Sequence, residues 1–152
     1  MQTAALPHPV RLTRPGGPCH DDFVKTLVIV VVIVVLFVLA RRLLGGPSVS
    51  PSEAAQRVQD GSAILVDVRE PAEWQGGVAG PALLLSLGDL RGKRDAWRPV
   101  LDANRDKEFI LYCASGTRSG IAAGILRKEG FNAVNAGGFG SWRAAGLPVR
   151  QP

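Results

Sequence analysis

The stretch Cys113-Ala114-Ser115-Gly116-Thr117-Arg118 carries one thiol and, five residues on, one guanidinium. The reactive form of cysteine is the thiolate, and it forms near neutral pH only where positive charge or hydrogen-bond donors favour it. A loop that opens a helix supplies both, since the first turn leaves its N–H groups without partners inside the helix. The flanking residues predict such a setting. Phe109 to Tyr112 is a short apolar and aromatic run suited to a strand covered on both faces. Ser119 to Glu129 places Ile121, Ala122, Ile125 and Leu126 at helical spacing, and Gly130 supplies the stop. Most free cysteines at the end of a core strand simply pack there. Gly116, Arg118 and the small residues beside them favour a loop that closes over the sulfur instead.

Three segments together resemble the rhodanese family of sulfurtransferases. Cys113 to Ser119, CASGTRS, is similar to that family's active-site loop. Leu65-Val66-Asp67-Val68-Arg69-Glu70-Pro71-Ala72-Glu73-Trp74 is similar to its first motif, and Gly137 to Val149 to its closing motif. The resemblance covers about residues 50 to 150. It implies that Cys113 attacks the outer sulfur of a small anionic donor such as thiosulfate, becomes a persulfide, and passes the sulfur to a thiol or cyanide. The backbone N–H groups of Ala114, Ser115, Gly116, Thr117, Arg118 and Ser119 would then stabilise the anionic sulfur. Arg118 would hold the loop and attract the donor, and Asp67 and Arg69 would support it from the end of a neighbouring strand. Asp67 has a plainer reading, as a brace for nearby backbone N–H groups. No metal and no organic cofactor is implied.

Two details qualify the resemblance. Four residues lie between Cys113 and Arg118; rhodanese-related and tyrosine phosphatases carry five, which makes a wider cradle for a phosphate. The tighter ring favours sulfur transfer over phosphate hydrolysis or arsenate reduction. Where many rhodaneses have a histidine before an isoleucine-proline-glycine-alanine turn, this chain has Gly77-Val78-Ala79-Gly80-Pro81-Ala82. That departure keeps a second class open: a low-turnover rhodanese-fold module that binds or tethers a partner at a membrane.

Composition narrows the setting. The net charge is +5; residues 1–47 hold 5 basic and 2 acidic residues, the remainder 13 and 11. The excess sits around an apolar segment, which argues against a nucleic-acid surface. The two cysteines, Cys19 and Cys113, lie in different regions and suggest no disulfide framework. His8, Cys19 and His20 lack ligand spacing.

In chain order, residues 1–22 read as a disordered tail with four prolines. Residues 23–44 read as a transmembrane helix: Phe23 to Ala40 is uncharged except at Lys25, and 18 residues rise roughly 27 Å. Arg41 and Arg42 close it, without the small-residue site of a cleaved signal peptide. Residues 45–49 are a linker. Residues 50–150 form the domain, an α/β rhodanese-like parallel sheet with helices on both faces. It begins at a helix capped by Ser50, with Pro51 first and Glu53 completing a capping box. Ala63 to Val68, Leu83 to Leu87 and Ala133 to Asn135 read as strands, Ala96 to Leu101 and Gly140 to Ala145 as short helices, and Gly137-Gly138 as a turn. The basic residues Arg91, Lys93, Arg94 and Arg98 read as a solvated face. The expected location is a bacterial inner membrane, held through lipid contact of residues 23–44. The domain would be cytoplasmic, because Cys113 must stay reduced.

Overall fold

Alternation along two short strands sets the architecture of the computed structural model, which describes residues 20–44 and 46–152. In β1, Ala63–Asp67, and β4, Glu108–Cys113, successive side chains enter two different apolar clusters. The strands run parallel, with Ile64 opposite Phe109 and Asp67 opposite Tyr112. β3, Leu83–Leu84, flanks β1, and β5, Ala133–Gly138, flanks β4. The resulting sheet is four-stranded, all parallel, in the order β3-β1-β4-β5.

One face carries Val66, Val68, Phe109, Leu111 and Cys113. It packs on Leu90 of α4, Leu87–Arg91, on Trp97 and Leu101 of α5, Trp97–Ala103, and on Ala122, Ala123 and Leu126 of α6, Thr117–Lys128. The other face carries Ala63, Leu65, Ile110 and Tyr112. It packs on Ala54 of α2, Pro51–Gln59, and on Phe139 and Trp142 of α7, Phe139–Ala144. A parallel sheet covered on both faces needs strands apolar at nearly every position, as Phe109 to Tyr112 provides. Each fully buried Leu, Ile or Phe stabilises by about 1.5–3 kcal/mol.

Several boundaries differ from the sequence expectation for physical reasons. Leu83 to Leu87 forms a strand only at Leu83–Leu84, because Ser86 caps α4: its hydroxyl accepts from the Asp89 N–H at 3.2 Å. Half of the expected capping box at α2 is present. Ser50 accepts from the Glu53 N–H at 3.3 Å, while the Glu53 carboxylate turns to pair with Arg57. The expected turn at Gly137-Gly138 belongs to β5, where the pairing shifts between Leu111 and Cys113. Among the basic residues read as a solvated face, Arg94 is tied at 2.7 and 2.8 Å to both carboxylate oxygens of Glu129. The Gly77 region is held by β2, Val78–Ala79, paired antiparallel with β6, Val149–Arg150. Pro47 and Val49 bond to both backbone groups of Asn135, covering the outer edge of β5.

The chain divides into two units, residues 1–41 and 42–152. Helix α1, His20–Leu44, begins three residues before the expected span. The rest of the tail, with His8 and Cys19, lies outside the described residues, as does Gly45 of the linker. The expected transmembrane helix over 23–44 is corrected: among the described residues no helix is long and apolar enough to cross a membrane. The described α1 side chains run from Phe23 to Phe37. Within that stretch the large apolar side chains are exposed, from Phe23 at 71% to Val24 at 44%.

Candidate active site

β4 ends at Cys113, and α6 begins four residues later at Thr117. The chain can turn that tightly because Gly116, the residue before the helix, sits at φ 95°. A side chain there would be strained and would stand 3.2 Å from the Gly137 Cα. Gly138, opposite Cys113 on β5, is equally constrained: a Cβ would lie 2.6 Å from the Ala114 carbonyl oxygen. Two glycines thus let the cysteine loop and β5 touch backbone to backbone.

The loop closes around the sulfur. Gly116 donates its N–H to Cys113 Sγ at 3.1 Å, and the Ser119 hydroxyl lies 3.6 Å from it. Cys113 and Ser119 are wholly buried, while Ala114, Ser115 and Thr117 are exposed. Burial alone would push the thiol up. The Ser119 N–H and hydroxyl, with the Ser115 and Gly116 N–H groups, pull harder in the other direction, so the thiol is held below its ordinary value. Of the six N–H groups expected to face the sulfur, that of Gly116 makes a hydrogen bond to it.

Arg118 holds the loop through an ion pair. Its guanidinium meets both carboxylate oxygens of Glu73, with one arm at 2.8 Å. Glu73 lies on α3, Pro71–Trp74, and was not singled out from the sequence. The bond from Arg118 holds its carboxyl at about 2. Arg118 therefore ties the loop to α3, with its charge matched by Glu73.

Asp67 and Arg69 lie on the opposite face of the sheet from Cys113, beside Tyr112. Asp67 is wholly buried and Arg69 nearly so. Arg69 grips both Asp67 oxygens through Nε at 3.0 Å and adds a bond at 2.7 Å, while its own N–H donates to Asp67 at 2.9 Å. The rest of the guanidinium donates to the carbonyls of Gly77 at 2.8 Å and Glu73 at 3.2 Å. This pair acts on the loop at one remove, by fixing α3 so that Glu73 can hold Arg118. Gly77, at the position of the family's histidine, has φ 94°, and a Cβ there would lie 3.2 Å from Val149.

Asn135 is a further residue not singled out from the sequence. It accepts the Ser119 hydroxyl at 2.7 Å and the Gly137 N–H at 2.9 Å, and donates to the Gly116 carbonyl at 2.9 Å. A cavity of about 560 Å³ flanks this corner, walled by Thr117, Gly120, Ile121 and Arg127 among others. Among the described residues no group of His, Cys, Asp or Glu is placed to hold a metal ion.

The arrangement can generate a nucleophilic thiolate and stabilise negative charge on sulfur. Residues 50–145 match the profile of the rhodanese-like domain family. A sulfurtransferase of Allochromatium vinosum is 30% identical over 107 residues, covering 68% of this chain and 94% of that protein. A tRNA uridine(34) hydroxylase of Acholeplasma laidlawii is 33% identical over 87 residues, covering 57% of this chain and 27% of that protein. Other curated relatives are also longer, and the chain spans about half of their length. The crystal structure of a rhodanese-related protein from Thermoplasma volcanium superposes with a TM-score of 0.59 at 29% identity, covering 70% of this chain and all of that one.

Proposed function

This chain belongs to the rhodanese-like family, and on that footing we propose that it is a sulfurtransferase working through a persulfide on Cys113. The observation that carries the reading is the contact of Cys113 Sγ with the Gly116 N–H at 3.1 Å, at the mouth of α6. The Cys113 thiolate attacks the outer sulfur of a donor such as thiosulfate. A new S–S bond forms, the donor's S–S bond breaks, and sulfite leaves with the electron pair. An acceptor thiolate or cyanide then attacks the outer sulfur, and Cys113 leaves as the thiolate, completing a ping-pong cycle. The N–H groups of Ser115, Gly116 and Ser119 lower the cost of charge on sulfur in both half-reactions. Attraction of the anionic donor rests on these groups and the helix end, since Glu73 balances Arg118.

The test is mass measurement of the full chain after thiosulfate treatment, with peptide mapping to separate Cys113 from Cys19. One sulfur is expected on Cys113, removable by cyanide or dithiothreitol and absent from Cys113→Ser. Sulfur retained by that variant would overturn the assignment. One observation favours a second reading, a low-turnover binding module: Cys113 has no exposed surface, so a donor reaches it only when the loop opens. Folded protein that takes up no sulfur would favour that reading.

The proposal includes attachment to a membrane, with the domain cytoplasmic. Its support is the uncharged run Thr26 to Ala40 and the apolar side chains that α1 exposes between Phe23 and Phe37. Exposed on all sides, such a surface calls for an apolar environment.

A further inference from the structure

Ser119 has one hydroxyl proton and four acceptors within reach: Asn135 Oδ1 at 2.7 Å, the Gly116 carbonyl at 3.1 Å, the Gly137 carbonyl at 3.5 Å and Cys113 Sγ at 3.6 Å. The shortest goes to Asn135, and the sulfur contact is the longest. The orientation of the Asn135 amide follows from its partners. Gly137 offers an N–H, which only the amide oxygen can accept, and Gly116 offers a carbonyl, which only the amide nitrogen can serve. Asn135 thus uses both lone pairs and one N–H on three points around one sulfur. Two of those points belong to residues that also meet the sulfur, Gly116 through its N–H and Ser119 through its Oγ.

We propose that Asn135 is a positioning residue for Cys113, fixing Gly116 by its carbonyl so that the N–H of the same residue stays on the sulfur, and keeping the Ser119 hydroxyl where it can turn from the amide oxygen to the sulfur. With the thiol protonated, the Ser119 proton rests on Asn135. When the sulfur becomes anionic it is the stronger acceptor, and a rotation of the Ser119 hydroxyl gives it one more hydrogen bond. No bond to a heavy atom is made or broken; the thiol's own proton leaves to solvent. The other charged groups facing the sulfur are Arg118 on α6 and, through it, Glu73 on α3. Neither changes charge between pH 5 and 10, so the titration read there belongs to Cys113 and the groups that bond to it. The inference rests on the sulfurtransferase reading only for its purpose, because it concerns the thiol itself.

The test follows the rate of iodoacetamide alkylation of Cys113 against pH in the full chain, read on the Cys113 peptide. Asn135→Ala and the near-isosteric Asn135→Asp should each slow alkylation about tenfold at pH 7, equal to about one unit in the thiol midpoint, and leave it unchanged above the midpoint. Ser119→Ala should do the same, and Ser119→Ala with Asn135→Ala should add little, because the two residues act on the sulfur together. Wild-type pH profiles in folded Asn135 variants, or additive effects in the double variant, would overturn the inference. A measurement without mutation guards against variants that fail to fold: the Asn135 side-chain amide NMR signals of the wild-type chain should move with the Cys113 midpoint. Signals that stay fixed through it would overturn the inference as well. Alkylation needs no sulfur donor, so a chain that takes no sulfur from thiosulfate would remove the proposed activity and leave this result standing.

Discussion

Glu73 and Arg118 stand 45 positions apart in the chain and meet as a two-armed ion pair. The pair closes the cysteine loop from outside, because Glu73 starts on the short α3 and Arg118 sits in the first turn of α6. Behind it, Arg69 donates to the Glu73 carbonyl and is itself held by Asp67. A line of contacts therefore runs from the far face of the sheet to the loop, although Asp67 and Cys113 point to opposite sides.

The pair makes acid stability sensitive to Glu73. Its carboxyl is held at about 2 against an ordinary 4.5, first of all by the bond from Arg118. A depressed carboxyl stabilises the fold above its ordinary value and loses that contribution as pH falls toward the folded value. The window is therefore about pH 4.5 down to about 2. Both partners are about one-third exposed, so the contribution is at most about 1 kcal/mol. Glu73→Gln should be less stable than wild type near neutrality by about that much, and the gap should close by pH 2. Denaturant midpoints across pH check this; a gap that stays constant with pH would show that the pair contributes nothing through ionisation.

The buried pair behind it predicts a different outcome. Arg69→Met leaves Asp67 without its partner in a wholly buried site. Breaking such a pair costs roughly 3–5 kcal/mol. Asp67→Asn together with Arg69→Met should recover part of the loss, since no lone charge remains. In the folded fraction of either variant, alkylation of Cys113 should stay within a few-fold of wild type, because the pair faces away from the sulfur. Chemical denaturation and alkylation on the same samples separate these effects. A large loss of thiol reactivity at full folding would show that the line of contacts through α3 governs the thiol.

The local parts of this site were legible because they are local. The apolar run Phe109 to Tyr112, the small residues after it and the helical spacing beyond Ser119 need only neighbours to be read. Glu73 was not legible as the partner of Arg118, since nothing within α3 says which distant cation it will face. Asn135 read as an ordinary strand residue because alternation does not show that β5 shifts register beside Cys113. Leu83 to Leu87 looked like one strand because leucine suits both states. The signal against it was Ser86 followed by Asp89, a serine and an acid at capping spacing. Two-residue strands such as Val78–Ala79 carry no period at all and emerge only from pairing with Val149–Arg150.

The proposed membrane attachment and the cytoplasmic location of the domain can be tested through Cys113. The thiol argues for the location. The proposed cycle returns Cys113 as a thiolate after each turnover, and a reducing cytoplasm keeps it so, whereas an oxidising exterior caps or pairs reactive thiols. The prediction is that the full chain sediments with membranes. In intact cells a membrane-impermeant maleimide should spare Cys113. Because Cys113 is buried, permeabilised and denatured cells must show that it can react. Recovery in the soluble fraction would remove the attachment. Labelling of Cys113 in intact cells would place the domain outside and leave the proposed sulfur chemistry as it stands.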